Sequence, residues 1–119
     1  MINNLLLVGA GGAVGSMLRY LCQRFLNPEA FPYCTLIVNV AGCFLAGLLA
    51  GIFLKNGSQT SLTLFLITGF CGGFTTFSAF SLDSIQLLQR SQFLPLGLYT
   101  GVSVVGGLLS AFLGLKISL

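Results

Sequence analysis

Charged residues are scarce in this chain of 119 residues. Only 6% of the residues carry a charge and 55% are hydrophobic, whereas about a quarter of an ordinary soluble domain is charged. The acidic residues are Glu29 and Asp83, and the five basic residues are scattered along the chain. They are too few to cover a soluble fold, and they form no basic stripe for a nucleic acid. The composition indicates a protein whose solvent is the lipid bilayer.

The residues on which many catalytic and metal sites depend are also missing. The chain has no histidine and no acidic cluster. Its cysteines, Cys22, Cys34, Cys43 and Cys71, match no metal-ligand spacing. These absences exclude a histidine-based acid/base catalyst and a zinc site, and they argue against an enzyme. We interpret the cysteines as packing thiols in or beside apolar segments.

Four long hydrophobic segments cover most of the sequence, at residues 2–25, 33–54, 61–88 and 94–117. Each is near the roughly 20 residues that an α-helix needs to cross a hydrocarbon core of about 30 Å. The short linkers between them carry polar and turn-forming residues, so neighbouring helices must run antiparallel. We predict a single all-α domain of four transmembrane helices.

Positive charge is almost evenly divided between the two sides of this predicted bundle. Lys55 and Lys116 fall on the side of the N-terminus, and Arg24 and Arg90 fall on the other, with Arg19 slightly inside the membrane. An excess of Lys and Arg normally fixes the cytoplasmic side. We therefore predict that copies insert in both orientations and pair as an antiparallel homodimer about a two-fold axis in the membrane plane.

Glycine recurs at a spacing that brings helices close together. Gly11 and Gly15 are four residues apart, as are Gly47 and Gly51, and the last segment continues the pattern. Small residues at this spacing let helix backbones approach each other. The pattern leaves open whether the contact lies within one chain or between two copies.

Polar residues lie inside the first two predicted spans. Arg19 either snorkels to the headgroups or attracts anions to the mouth of a pathway. Thr35 and Asn39 are four apart and share one face of the second helix. An unpaired amide in hydrocarbon costs several kcal/mol, so Asn39 must face protein or water. It serves either an interhelical hydrogen bond or an anion that has lost part of its water shell.

The third span contains an unusual stretch at residues 69–81. A glycine pair, Gly72 and Gly73, precedes a run of hydroxyl residues and three phenylalanines at three-residue spacing. We interpret it as a helix broken near the bilayer centre, where irregular backbone is tolerated only if it is buried or lines a cavity. Freed carbonyls there suit a small cation, whereas amide donors and phenyl edges suit an anion. The alternative is a kinked helix with aromatic packing.

Three segments, residues 11–20, 35–42 and 69–80, resemble the signatures of the Fluc (CrcB) fluoride channels. The match spans the whole chain, and its most specific part is Thr75-Thr76-Phe77-Ser78. The resemblance implies a dual-topology homodimer with two pores. It also implies a structural sodium ion at the dimer interface. The expected function is passive export of toxic fluoride from the cytoplasm through the bacterial inner membrane, which gives fluoride resistance.

The resemblance also implies roles for individual residues. Asn39 would help coordinate fluoride, and the edges of Phe77 and Phe80 would flank the ion. The backbone carbonyls of Gly72 and Thr75, from both subunits, would hold sodium. The remaining implied residues are a vestibule cation and four hydroxyl groups along the pores, namely Arg19, Thr35, Ser78, Tyr99 and Ser103.

Three positions depart from the family pattern. Ala79 stands where a hydroxyl residue is frequent, and Asp83 stands where a glutamate is frequent. Gly107, one turn beyond Ser103, shortens the row of hydroxyl groups on the last helix.

The main alternative function is a small dual-topology proton-coupled drug antiporter, which shares the four spans and the chain length. Such a carrier needs a membrane-embedded carboxylate, and the first predicted helix has none. A structural subunit without transport is a further alternative, but the polar stretch from Thr75 to Ser81 argues against it.

Overall fold

The computed structural model describes residues 1–26, 31–57 and 60–119, and every regular element within these ranges is helical. Helix α1 is Ile2–Phe25 and α2 is Tyr33–Asn56. Helix α3 covers residues 60–74, α4 is Phe77–Gln89 and α5 is Phe93–Ser118. The first predicted linker, with Glu29, lies outside the described residues at positions 27–30, and the second does so at positions 58–59.

Four stretches of the described chain are long and apolar enough to cross a membrane: α1, α2, the combined span Thr60–Gln89 and α5. Large apolar side chains such as Leu5, Leu108 and Phe112 are mostly exposed on the outside of the bundle. Exposed apolar surface on this scale is unfavourable in water and favourable in lipid. The prediction of an all-helical membrane protein with four spanning helices is confirmed.

Two helix ends adopt backbone that a regular helix cannot continue. Gly57, just after α2, has a φ of 85°, which glycine adopts without steric cost. Ser91, between α4 and α5, also has a positive φ of 57°. The N–H groups of Ser91 and Gln92 donate to Leu88 O and Leu87 O, both at 3.0 Å. These bonds satisfy carbonyls at the end of α4 and turn the chain sharply into α5.

The helices associate as two close pairs, α1 with α3 and α2 with α5, while α1 and α2 touch each other only sparsely. In the first pair, a Cβ added at Gly15 would collide with Phe70 O and lie 2.7 Å from Phe74 N. A Cβ added at Gly73 would lie 2.9 Å from Gly12 Cα. Backbone lies directly against backbone, so these glycines serve packing within one chain.

The second helix pair, α2 with α5, is also held in close backbone contact by glycines. A Cβ added at Gly114 of α5 would lie 2.7 Å from Leu48 N of α2, and one at Gly47 would meet the backbone of Ala111. One at Gly51 would lie 3.0 Å from Leu115 O. The glycine spacing that the sequence left ambiguous therefore brings helices together inside the chain.

The third span is not one regular helix. Residues Leu64–Cys71 are π-helical, and Gly72–Phe74 return to α-helical backbone. Thr75 and Thr76 are extended, with ψ angles of 156° and 122°, and α4 then begins at Phe77. From the sequence, we expected the glycine pair to interrupt the helix. Both glycines are helical instead, and a side chain at Gly73 would collide with α1.

Candidate ion pathway

The extended residue Thr76 is held by a side chain of another helix. Asn39 of α2 donates from Nδ2 to Thr76 O at 3.0 Å and accepts from Thr76 N–H at Oδ1 at 2.7 Å. The amide therefore satisfies both backbone groups of a residue that has left the helical pattern. Because the amide nitrogen carries two N–H donors, one of them remains for another partner.

Two backbone carbonyls lose their usual helical donors at this point. The N–H of Thr76, which would close a helical bond to Gly72 O, is given to Asn39. The N–H of Ala79, which would close onto Thr75 O, instead meets Thr76 Oγ1 at 3.1 Å and caps the start of α4. The diverted donors leave the carbonyls of Gly72 and Thr75 available to another group. These are the two residues that the family resemblance assigns to sodium.

A cavity of about 260 Å³ lies beside the extended residues. Its wall combines residues from α2, α4 and α5 with the extended pair, and it is lined by Asn39, Cys43, Thr75, Thr76, Phe77, Phe80, Ser103 and Val104. The structure thus brings together four of the residues expected to contact fluoride: Asn39, Phe77, Phe80 and Ser103. Thr75, expected at the sodium site, also reaches this wall.

Ser103 lines this cavity, and its hydroxyl has no protein partner among the described residues. Its Oγ is buried and has no hydrogen bond to any of the described residues. A buried hydroxyl without a partner costs free energy, so a polar occupant of the cavity would be stabilised by it. Ser103 and Asn39 therefore bring two neutral polar side chains to one cavity wall.

Two phenyl rings form the α4 side of the cavity. The centroids of Phe77 and Phe80 are 5.7 Å apart and their planes are tilted by 38°. Phe80 is half-buried, whereas Phe77 is 78% exposed in the single chain. The edge of a phenyl ring carries partial positive charge, so rings turned edge-on can favour an anion without a formal cation.

Thr35 and Tyr99 do not line the cavity and lie in a packed layer behind Phe80. Tyr99 is fully buried, and its ring is 5.3 Å from that of Phe80. Its hydroxyl donates to Asp83 Oδ2 at 3.1 Å, and Thr35 lies against it, only 5% exposed. Ser78 is exposed, with its Oγ 3.1 Å from Thr76 Oγ1. A pore role for these three hydroxyl residues stays a prediction.

Arg19 of α1 does not line the cavity and lies against the end of α3. Its Nε donates to Gly73 O at 3.2 Å, and Ser16 Oγ approaches the same oxygen at 3.5 Å. A cation is favourable beside the carbonyls at a helix C-terminus. Arg19 therefore stabilises the last turn of α3. A role in attracting anions at a vestibule stays a prediction.

Comparison with known proteins identifies the family. The sequence profile of the family described as "CrcB-like protein, Camphor Resistance (CrcB)" matches residues 6–115. The chain belongs to this CrcB-like family. The resemblance found in the sequence is confirmed.

Several curated relatives of this CrcB-like chain have names that state a function. "Fluoride-specific ion channel FluC" of Flavobacterium psychrophilum is 48% identical, with 93% of each chain covered. The protein of the same name in Rhizobium meliloti is 48% identical over 98% of this chain and 96% of its own. "Fluoride-specific ion channel FluC 2" of Rhodococcus jostii is 45% identical, covering 95% and 96%. Family membership and the four apolar helices make the chain a multi-pass membrane protein.

Three lining residues of the CrcB-like chain, Cys43, Thr76 and Val104, were not predicted from the sequence. Cys43 follows Asn39 by one helical turn and so shares its face, a spacing that could have placed it on the wall. Thr76 had no comparable signal, because its role depends on a bond to a residue 37 positions away. Among the described residues there is no group of three or more Cys, Asp or Glu side chains that could hold a metal.

Proposed function

We propose that this chain is a fluoride-selective ion channel that exports fluoride passively from the cytoplasm. The observation that carries the proposal is the cavity beside Thr75 and Thr76, which offers neutral donors from Asn39 and Ser103 together with phenyl edges. The names of the relatives support the same substrate.

Fluoride is small and strongly hydrated, so a pathway must replace its water with donors that are already in position. Asn39, Ser103 and the edges of Phe77 and Phe80 meet this need without a formal charge. A lysine or arginine in the cavity would hold the ion too firmly, since conduction needs successive weak sites. Neither is among the lining residues. A membrane potential that is negative inside would then drive the anion out.

The interruption at Thr75 and Thr76 falls halfway along the span Thr60–Gln89, so we propose that it lies at mid-membrane. Irregular backbone at that depth must be buried in protein or line a cavity, and this one does line a cavity. The break would then place the freed carbonyls and the fluoride donors at the centre of the bilayer.

We further propose that two antiparallel copies complete the pathway. In one chain the cavity wall is open, because Phe77 and Val104 remain 78% and 55% exposed. A second copy would cover these side chains and provide protein on all sides of the ion. A fused tag that reports the side of its terminus should show both orientations in cells. A single orientation in every molecule would contradict the dimer.

A sodium ion on the two-fold axis is proposed from the backbone of Gly72 and Thr75. Their carbonyls have lost their helical donors, and carbonyl oxygens are suitable ligands for a hard cation. Two copies would supply four such oxygens. The Arg19 guanidinium is bonded to the neighbouring Gly73 O, so the carbonyls would have to hold the ion against a nearby positive charge.

Removing sodium should destabilise the folded dimer, because an ion that binds only the native state adds to its stability. We expect a lower thermal unfolding midpoint in N-methylglucamine buffer than in sodium buffer, with sodium titration restoring the higher value. The same titration on Gly9→Ala, which changes α1 away from the break, is the control. Identical unfolding midpoints with and without sodium would contradict the site.

Changing Phe80 to isoleucine tests the fluoride pathway itself. Isoleucine keeps a large apolar side chain but has no ring edge to face an anion. We expect fluoride efflux from liposomes that contain the purified Phe80→Ile protein to fall by about 10-fold or more, which corresponds to about 1.4 kcal/mol. A fluoride electrode measures the initial rate.

Phe112→Ile is the matched control for this change. Phe112 lies on α5 outside the cavity, with its ring exposed, so its replacement should leave efflux near the wild-type rate. Wild-type efflux in the Phe80→Ile protein would show that the ring does not contact the ion.

The antiporter alternative finds no support. The only acidic residue in the described helices is Asp83, which accepts a hydrogen bond from Tyr99, and α1 contains no acidic residue. The relatives are named as ion channels rather than carriers or enzymes.

A further inference from the structure

Two cysteines from different helices lie side by side at one end of the bundle. Cys34 Sγ of α2 approaches Arg19 O of α1 at 4.0 Å. Cys22 follows Arg19 by one helical turn, so it lies on the same face of α1. Helical side chains point back toward the N-terminus, so the side chain of Cys22 extends toward the turn that Cys34 Sγ approaches. Neither residue lines the cavity, so the proposed pathway leaves this pair without a role.

The pair lies near the ends of its two helices. Cys22 is three residues before the end of α1, and Cys34 is the second residue of α2. Cys22 is partly exposed, whereas Cys34 is only 3% exposed. Because α1 and α2 otherwise touch sparsely, a covalent link here would join the α1/α3 pair to the α2/α5 pair.

We propose that Cys22 and Cys34 form a reversible, redox-sensitive disulfide that links α1 to α2. The approach of Cys34 Sγ to the turn of α1 that carries Cys22, and the position of both residues near helix ends, carry this assignment. The proposal does not depend on which ion the protein conducts.

A hydroperoxide is the oxidant that this chemistry needs. The more exposed sulfur, that of Cys22, attacks the O–O bond and becomes a sulfenic acid, and the other oxygen leaves as water. Cys34 then attacks the sulfenic sulfur, and a second water leaves as the S–S bond forms. The two sulfurs lose two electrons in total and hydrogen peroxide gains them. A dithiol returns both residues to thiols.

The other two cysteines provide a comparison inside the same chain. Cys71 is buried in α3, and a Cβ at Gly107 would lie 3.5 Å from Cys43 Sγ of α2. Both lie in the interior of their membrane spans, away from the ends of those spans. We therefore expect them to stay reduced under conditions that oxidise Cys22 and Cys34.

The experiment uses the full-length protein in liposomes treated with hydrogen peroxide. Remaining thiols are then labelled in detergent with a polyethylene-glycol maleimide and counted by gel shift. We expect wild type to lose two of its four reactive thiols within one chain and to recover both in dithiothreitol. Peptide mass mapping of the wild type should show the link between Cys22 and Cys34.

Serine variants separate the possible outcomes. The Cys43→Ser/Cys71→Ser protein should lose both of its remaining thiols, whereas Cys34→Ser should form no intrachain link. Retention of all four thiols would overturn the proposal, as would a link between Cys43 and Cys71 or one between two chains. Peptide mass mapping of the wild type tests the link directly. It therefore decides the proposal even if a serine variant fails to fold.

Discussion

The Asn39→Asp protein is expected to lose fluoride efflux almost completely while remaining folded. Aspartate keeps an oxygen that accepts the Thr76 N–H, the bond now 2.7 Å long. It removes both N–H donors, so neither Thr76 O nor an anion in the cavity receives one. It also adds a negative charge to a space of about 260 Å³. Loss of a hydrogen bond to a charged group costs about 1.5–3 kcal/mol.

We therefore expect the fluoride efflux rate of this variant to fall by about 100-fold or more, since each 1.4 kcal/mol is about tenfold. The measurement is efflux from liposomes, with size-exclusion chromatography to show that the protein is intact. Thr100→Val is the matched control, because the Thr100 hydroxyl bonds only to Leu96 O and Gly97 O of its own helix. If the Asn39→Asp protein keeps an efflux rate within a few fold of wild type, the amide does not take part in fluoride conduction.

The second large effect is expected on stability, from a single added methyl group at Gly15. In Gly15→Ala the new Cβ would collide with Phe70 O and approach Phe74 N of α3. These are backbone atoms, so no side-chain rotation can relieve the contact, and α1 must move away from α3. Overpacking typically costs about 1–3 kcal/mol and sometimes more. The displacement would also disturb Arg19, which is one turn further along α1 and bonded to Gly73.

Gly9→Ala makes the same chemical change on the same helix and serves as its control. An added Cβ at Gly9 has no atom within 4 Å, so the gain in helix propensity should stabilise the fold by up to about 1 kcal/mol. We expect Gly15→Ala to give little monodisperse protein in detergent and a clearly lower unfolding midpoint, and Gly9→Ala to match or exceed wild type. Equal midpoints for the two variants would show that α1 and α3 are not in backbone contact.

The class of the fold could be predicted because it depends on composition and on the length of apolar runs. A segment of about 20 apolar residues has few alternatives to a spanning helix. The glycine spacing was less informative, since close packing within a chain and between chains requires the same small residues. Only the positions of the helices show that Gly15 and Gly114 pack inside the chain.

The position of the irregular backbone could not be deduced from local propensity. Glycines weaken a helix on average, yet Gly72 and Gly73 remain helical, and the residues that leave the helix are Thr75 and Thr76. The cause is the pairing of Asn39 with Thr76, a contact between residues 37 positions apart. Sequence pattern alone does not show such long-range bonds.

Only part of the candidate site could be predicted from the sequence, for a similar reason. Helical spacing places Thr35 on the face of Asn39, but it does not distinguish a cavity wall from a layer packed behind it. The structure places Thr35 and Tyr99 in that second layer. Arg19 likewise donates to a backbone oxygen 54 positions away, which its place in the first span did not reveal.

The most direct test of a fluoride-selective pathway compares fluoride with chloride in the same liposomes containing the wild-type protein. Initial efflux is measured with ion-selective electrodes, with a potassium ionophore to balance charge and with no proton gradient imposed. We expect fluoride to leave rapidly while chloride efflux stays at the level of protein-free liposomes. Comparable rates for the two ions, or fluoride efflux that requires an opposing proton gradient, would contradict a passive fluoride channel.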